Sequence, residues 1–288
     1  MQGPEELIPG KLLLFGFGYT AERFCRRQQA AGWQVEVIVR SEETRRRVLE
    51  LGARPVDPPA AAQANAILVV APPTEGYCPG LQALAPYLPG NSQLRWLGYA
   101  SSTAVYGDQQ GDWTHEDSPL NAASATGLRR LHAERSWIEL CRPIGLPLII
   151  FRLAGIYGPG RSAFDRLRAG KARRIEKANH ALSRIHVDDI VSLLEASLQR
   201  PNQHPVYNVC DDEPASTADV VTYAAELLGV EPPAPEPFES ADIPSAAQRY
   251  FLENRRISNA LARQALDWRP QYPSYREGLR AILQTHFT

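Results

Sequence analysis

The chain has 288 residues, 22% of them charged, with a formal net charge of −1, long enough to bury a core as one large or two modest domains. So balanced a charge gives no overall field to draw in nucleic acid or an anionic membrane surface. The four cysteines, Cys25, Cys78, Cys141 and Cys210, are far apart with no C-x-x-C, and read as reduced buried thiols rather than a zinc site or a disulfide framework.

The first residues, Met-Gln-Gly-Pro-Glu-Glu-Leu, carry neither the basic region nor the apolar core of a secretory signal. No apolar run nears the ~18 residues of a membrane span. A cytoplasmic enzyme or binding protein is expected. Lys11 to Phe15 is a short apolar run leading into Gly16-Phe17-Gly18-Tyr19-Thr20-Ala21, a helical segment to Ala31, Gly32, and a strand from Trp33 to Val39. Further apolar runs follow at Ala66–Ala71, Leu94–Ala100 and Leu146–Leu153, separated by helix-compatible stretches. Strands alternating with helices predict an α/β fold with a doubly wound parallel sheet of the Rossmann type.

Past Gly158-Pro159-Gly160 the stretch Arg161–Lys177 is basic, Ile185–Ile190 reads as a strand running into a helix, and Val206–Val209 as another strand. Ser216 with Asp219 opens a helix that Gly229 stops, Pro232–Pro237 reads as a loop, and Ser274 with Glu277 starts a last helix ending near Phe287. The expected organisation is a dinucleotide-binding domain at 11–155, with 184–215 returning to the sheet. A smaller, interleaved substrate-side region takes 156–183 and 216–288.

Gly16-x-Gly18-x-x-Ala21 lies after a strand and before a helix, where a pyrophosphate would rest on backbone N–H groups at the helix N-terminus. Gly16, Gly18, Tyr19 and Thr20 are thus cofactor-binding candidates. An acidic residue at the end of the second strand selects NAD, and an arginine accommodates the extra phosphate of NADP. Here that strand ends Val39-Arg40-Ser41, and Glu36, about 20 residues beyond Gly16, lies among Val35, Val37 and Val39, inside the strand. Arg40 and Ser41 therefore favour NADP, with NAD as the second choice.

Ser101-Ser102-Thr103-Ala104-Val105-Tyr106-Gly107, then Glu116, Asp117 and Pro119, then a helix closing in Ala133-Glu134, resembles the extended short-chain dehydrogenase/reductases, including nucleotide-sugar epimerases and dehydratases. The resemblance continues through Arg152-Leu153-Ala154-Gly155-Ile156-Tyr157-Gly158-Pro159-Gly160, His186-Val187-Asp188-Asp189, Tyr207-Asn208-Val209 and Leu266-Asp267-Trp268-Arg269-Pro270, and so covers nearly the whole chain. It is closest in character to atypical members of the NAD-dependent epimerase/dehydratase type.

The resemblance implies that Ala71, Pro72 and Pro73 pass beside the nicotinamide ribose and that Ser102 hydrogen-bonds the substrate oxygen. In that family the helix carries Tyr-x-x-x-Lys. Counted back from Ala133-Glu134, the tyrosine position is Thr126 and the lysine position Arg130, so the proton-transferring pair is replaced. Thr126 is a far weaker acid than a phenol, and Arg130 is permanently charged, able to hold ribose or an oxyanion but not to shuttle a proton. Tyr106, Tyr157 and His132 are the alternative acids, each with a structural role as the plainer reading, and the aspartates after His186 read as a helix cap.

From Arg161 to Arg184 eight Lys/Arg face Asp165 and Glu176, a net +6. The resemblance makes this the cover of the substrate pocket, with Arg161 and Arg184 as ligands for an anionic substrate such as a nucleotide sugar; a solvated basic face is the plain alternative. Two functions follow: an NAD(P)-dependent oxidoreductase or epimerase-like enzyme, or a non-catalytic NADP-binding sensor. No metal-ligand spacing is evident.

Overall fold

The computed structural model describes residues 7–201, 203–244, 248 and 251–286. Its main sheet is parallel throughout and consists of β1 (Lys11–Phe15), β2 (Gln34–Ile38), β3 (Arg54–Pro55), β4 (Ala66–Val69), β5 (Trp96–Ser102), β7 (Leu148–Leu153) and β11 (Val206–Val209). Their spatial order is β11-β7-β5-β4-β1-β2-β3. The helices are α1 (Tyr19–Ala30), α2 (Glu42–Glu50), α3 (Pro79–Leu84), α4 (Ala125–Cys141), α5 (Ala163–Arg168), α6 (Val187–Gln199), α7 (Thr217–Leu228), α8 (Ala260–Leu266) and α9 (Tyr275–His286).

Successive residues of a strand point to opposite faces, and here both faces are covered. Leu12 and Leu14 of β1 join a core with Phe24 and Cys25 of α1 and Leu194 of α6. Leu13 and Phe15 join a second core with Leu84 of α3 and Trp137 of α4. That double burial is why β1, β4 and β5 read as unbroken apolar runs rather than alternating ones. All four cysteines are free and buried.

Short strands complete the molecule: β6 (Trp113–Thr114), β8 (Gly155–Tyr157), β9 (Arg174–Glu176), β10 (Arg184–His186), β12 (Pro235–Pro237) and β13 (Arg256–Ile257). Of the segment 184–215, β11 joins the main sheet, whereas β10 pairs with β8 outside it. The expected loop at Pro232–Pro237 is corrected: β12 pairs with β9 in a two-stranded sheet. Prolines, lacking an N–H, are tolerated on such an edge. Ser216 accepts from Asp219 N at 3.0 Å to cap α7, and Gly229 ends it in the left-handed conformation. Ser274 bonds Glu277 at 2.6 Å and caps α9; its expected end at Phe287 lies outside the described residues.

Beneath the carboxyl ends of β5 and β7 runs a buried polar network. Ser101 Oγ donates to Glu134 Oε1 at 2.5 Å, and Arg152 Nη2 donates to Glu134 Oε2 at 2.9 Å. Arg152 Nη1 donates to the Tyr106 hydroxyl at 2.9 Å, which in turn donates to Asn208 Oδ1 at 2.7 Å. A charge pair this deep is tolerable because nearly every lone pair and proton has a partner. It fixes β5, α4, β7 and β11 relative to one another directly under the cleft.

Candidate active site

Strand order reverses at β1, whose neighbours β2 and β4 lead away in opposite directions, and ligands of such sheets bind at the carboxyl ends of the strands there. A cavity of about 1350 Å³ opens at that place. Its lining begins with the glycine turn. Gly16 has φ of +92°, and a Cβ there would sit 3.1 Å from Ala71 N, so only glycine lets β1 turn this close to β4. Gly18 caps α1 with no side-chain hydrogen bond, and a Cβ on it would meet nothing within 4 Å. The first turn of α1 thus offers unpaired N–H groups to open space, the requirement for seating a phosphate.

Of the cofactor candidates, Gly16, Gly18, Tyr19, Thr20, Arg40, Ser41, Ala71 and Pro72 line the cavity, and Pro73 does not. Tyr19 reaches across rather than inward, its hydroxyl donating to Pro159 O at 2.9 Å while Arg23 covers its ring at 4.1 Å. Arg40 is exposed at the end of β2. Ser41 caps α2, accepting from Thr44 N at 3.2 Å. Glu36 is buried inside β2 and paired with Arg54 at 2.5 Å, so no acid stands at the strand end where a ribose diol would be read.

Ser102, Thr126 and Arg130 come together on the same wall. Ser102 Oγ accepts from Ala104 N at 3.2 Å, closing a 3-10 turn over Thr103–Tyr106, so its O–H is what remains to offer a ligand. Ser124 caps α4 and brings Thr126 into its first turn. One turn on, Arg130 Nη1 donates to Ala100 O at 2.5 Å, which ties the guanidinium to the end of β5. Among the alternative acids, Tyr106 is fully buried in the polar network and pushed up to about 12, mainly by burial. Tyr157 donates to Ser274 O at 3.3 Å, and burial pushes its pKa up. His132 is exposed on α4 and absent from the cavity lining.

The helix-cap reading of the two aspartates is corrected. His186 caps α6, its Nδ1 accepting from Asp188 N at 3.3 Å. Asp189, fully buried, instead accepts from Gln271 N at 2.6 Å and Tyr272 N at 3.0 Å, pinning the chain just before α9. Burial holds Asp189 up at about 6 despite those two bonds.

The basic run does not form one face. Arg161, Arg166, Arg173 and Arg184 line the cavity. Arg174 pairs with Glu176 at 2.8 Å, and Lys177 donates to Phe251 O. Arg173 pairs with Glu236 of β12. Arg184 Nη1 donates to Leu182 O at 2.8 Å and Ala215 O at 2.6 Å, and burial lowers its pKa against the raising influence of Asp211. Asp211 is 1% exposed, and burial raises its pKa well above the ordinary value against the lowering influence of Arg184.

Glu253 and Arg255 also line the cavity, two residues that sequence reasoning missed because a Glu-Asn-Arg-Arg stretch carries no motif. Seven arginines (40, 130, 161, 166, 173, 184 and 255) thus face two acids, Asp165 and Glu253, and the cavity favours an anion. Among the described residues no cluster of His, Cys, Asp or Glu could hold a metal ion, and no helix is long and apolar enough to cross a membrane.

An α/β sheet of this order with its glycine turn at the switch point defines a dinucleotide-binding fold of the short-chain dehydrogenase type. Residues 90–210 match the NAD dependent epimerase/dehydratase family, and the chain belongs to that family, whose members bind NAD or NADP. A functionally unknown conserved protein from Silicibacter pomeroyi has a similar structure, with TM-score 0.90 and 41% identity over 97% of this chain and 100% of that one. Protein YeeZ of Escherichia coli K12 is 37% identical over 47% of each chain. The 3-diazoavenalumate denitrifying reductase of a Streptomyces species is 33% identical over 57% of each. The aligned part therefore spans about half the length of these two relatives.

Proposed function

We propose that the chain is an NADP-dependent oxidoreductase or epimerase-like enzyme acting on a small anionic metabolite, a nucleotide sugar among the candidates. In this reading 11–155 with 184–215 binds the cofactor, and 156–183 with 216–288 binds the substrate. One observation carries it: a single cavity runs from the glycine turn and Arg40, past Ser102, to Arg161 and Arg184. A nicotinamide cofactor would supply hydride chemistry there, its phosphates held by Gly16, Gly18 and Thr20 and a ribose phosphate by Arg40 and Ser41. Ser102 polarises the substrate oxygen through its O–H. Thr126 and Arg130 orient substrate or ribose, and the relative named a reductase supports redox chemistry over a purely structural role.

The test is NADPH and NADH titration followed by a turnover screen over nucleotide sugars and other anionic carbonyl compounds. Tight NADPH binding with NADPH oxidation on one substrate is expected. A second reading, a non-catalytic NADP sensor, is favoured by Thr126 and Arg130 standing at the tyrosine and lysine positions. Tight NADPH binding without turnover on any substrate would replace the first reading by the second.

A further inference from the structure

Phe251 and Leu252 are helical, and from Glu253 the chain runs through a bridge at Arg255 into β13, with alternate residues turned inward. Phe251, Glu253, Arg255 and Ile257 are 6%, 8%, 9% and 1% exposed, and all four line the cavity. Leu252 and Arg256 face outward. The segment is stitched on both sides: Asn254 N donates to Asp108 Oδ1 at 2.8 Å, and Asn254 Nδ2 donates to Asn179 O at 2.8 Å. Ile257 N donates to Ser183 Oγ at 2.9 Å. It is a fixed wall.

Two of its four inward positions are charged, which burial penalises by several kcal/mol per ion unless partners make it good. Arg255 Nη1 has partners, donating to Gly107 O at 3.0 Å and Glu253 Oε2 at 2.6 Å. Glu253 Oε1 has no hydrogen-bond partner among the described residues. An orphan carboxylate oxygen in a cavity wall is costly in the empty protein and is satisfied by a ligand that brings a donor. Ile175, Ile243 and Phe251 form an apolar cluster that lines the same cavity, and Leu182, two residues before Arg184, bridges to Arg255 and Ala215.

We infer that Glu253 and Arg255 are the polar recognition element of the substrate end, and that its ligand is a hydroxylated anion. The hydroxyl donates to Glu253 Oε1, the anionic group lies toward Arg184 and Arg255, and the body rests against Phe251 and Ile175. The inference rests on the proposed occupancy of this cavity by a substrate, and names its chemistry. Carboxylate and phosphate are both served by that arrangement.

The test uses the full chain saturated with NADPH and two matched pairs of probes, para-hydroxybenzoate against benzoate and glycerol phosphate against propyl phosphate, titrated at millimolar concentrations. In each pair only hydroxyl groups differ. Wild type should prefer the hydroxylated member of at least one pair by roughly ten-fold, the effect of a hydrogen bond to a charged group; which pair responds separates carboxylate from phosphate. Glu253→Gln should reduce that preference several-fold, with the plain anion bound no more weakly, since a negative charge beside Arg255 is removed, and NADPH binding retained. Where Glu253→Gln does not fold, Glu253→Asp keeps the charge beside Arg255 but draws it back by one bond, and the preference must fall while Tm holds. Equal loss of both members of a pair would reduce Glu253 to a support for Arg255 and overturn the inference. So would a wild type that binds no probe or binds without preference. NADPH binding measured in the same samples reports separately on the cofactor reading.

Discussion

The two ends of the cavity are built from different materials. At the end proposed for the cofactor the lining is mostly backbone and small side chains, Gly16, Gly18, Thr20 and Ala71, with the uncapped first turn of α1 and one exposed arginine, Arg40. At the end proposed for the substrate charged side chains predominate, and several are already engaged: Arg173 by Glu236, Arg184 by two carbonyls, Arg255 by Gly107 and Glu253. A backbone cradle serves any dinucleotide because every one carries the same pyrophosphate. Side chains that hold one another in place select a particular shape and charge.

That contrast can be broken most directly at Ser102, between the two ends. On an identified substrate Ser102→Ala should lower turnover by about 10²–10³ with cofactor affinity unchanged, by analogy with loss of an oxyanion donor; unchanged turnover would remove Ser102 from the site. At the cofactor end, geometry should matter more than side-chain chemistry. Gly18→Val places its side chain in open space, so Tm should hold while NADPH affinity falls on the order of a hundred-fold through blocked approach to the backbone, read by fluorescence titration. Retained affinity would mean the phosphates lie elsewhere.

Arg40 is the exception at that end, a side chain expected to discriminate. Arg40→Ala should remove most of the NADPH preference over NADH, worth roughly 1.5–3 kcal/mol for a charge-assisted bond; equal affinities in the wild type would reject the NADP assignment. His186, buried where β10 runs into α6, gives a stability test. Burial holds its imidazole down at about 4, whereas the unfolded residue titrates near 6.5. The unfolded chain therefore binds the extra proton between those values. The stability due to neutral His186 is present above about pH 6.5 and lost as pH falls toward about 4. Denaturation of wild type and His186→Gln across this window should show the wild type gaining on the variant as pH rises, by on the order of 1–3 kcal/mol, and no further gain above it. The smallest effect belongs to exposed Arg161: Arg161→Ala should weaken an anionic ligand only a few-fold, and less at high salt, whereas Arg184→Ala should cost more because its guanidinium is clamped.

Legibility follows the same division. The glycine turn, the α1 start and Val39-Arg40-Ser41 are local features read within about 30 residues. Strand positions came through because two covered faces leave unbroken apolar runs. Glu253 and Arg255 were not readable, since alternation of Phe251, Glu253, Arg255 and Ile257 mixes apolar with charged residues and a charged residue ordinarily signals solvent. Which members of the basic run from Arg161 are already engaged was not readable either, because Glu236 and the carbonyls of Ala215 and Phe251, which hold Arg173, Arg184 and Lys177, lie far along the chain. Asp189 was misread for the same reason: its partners are the amides of Gln271 and Tyr272, which no pattern near the aspartate announces.

Trp96, at the start of β5, has a bearing on how the protein is made. Its ring packs against Phe24 and Phe151, Phe151 stacks on Tyr207, and its indole N–H donates to Ser197 Oγ. β5 also takes its second strand partner from β7 and not from anything synthesised earlier. A ribosome extruding this chain from the amino end therefore releases β1 to β5 with the β5 edge unpaired and Trp96 covered only on its Phe24 side, until the later strands and α6 close over them. Such an edge is open to pairing with another nascent chain until β7 and then β11 have been made and take their places beside β5.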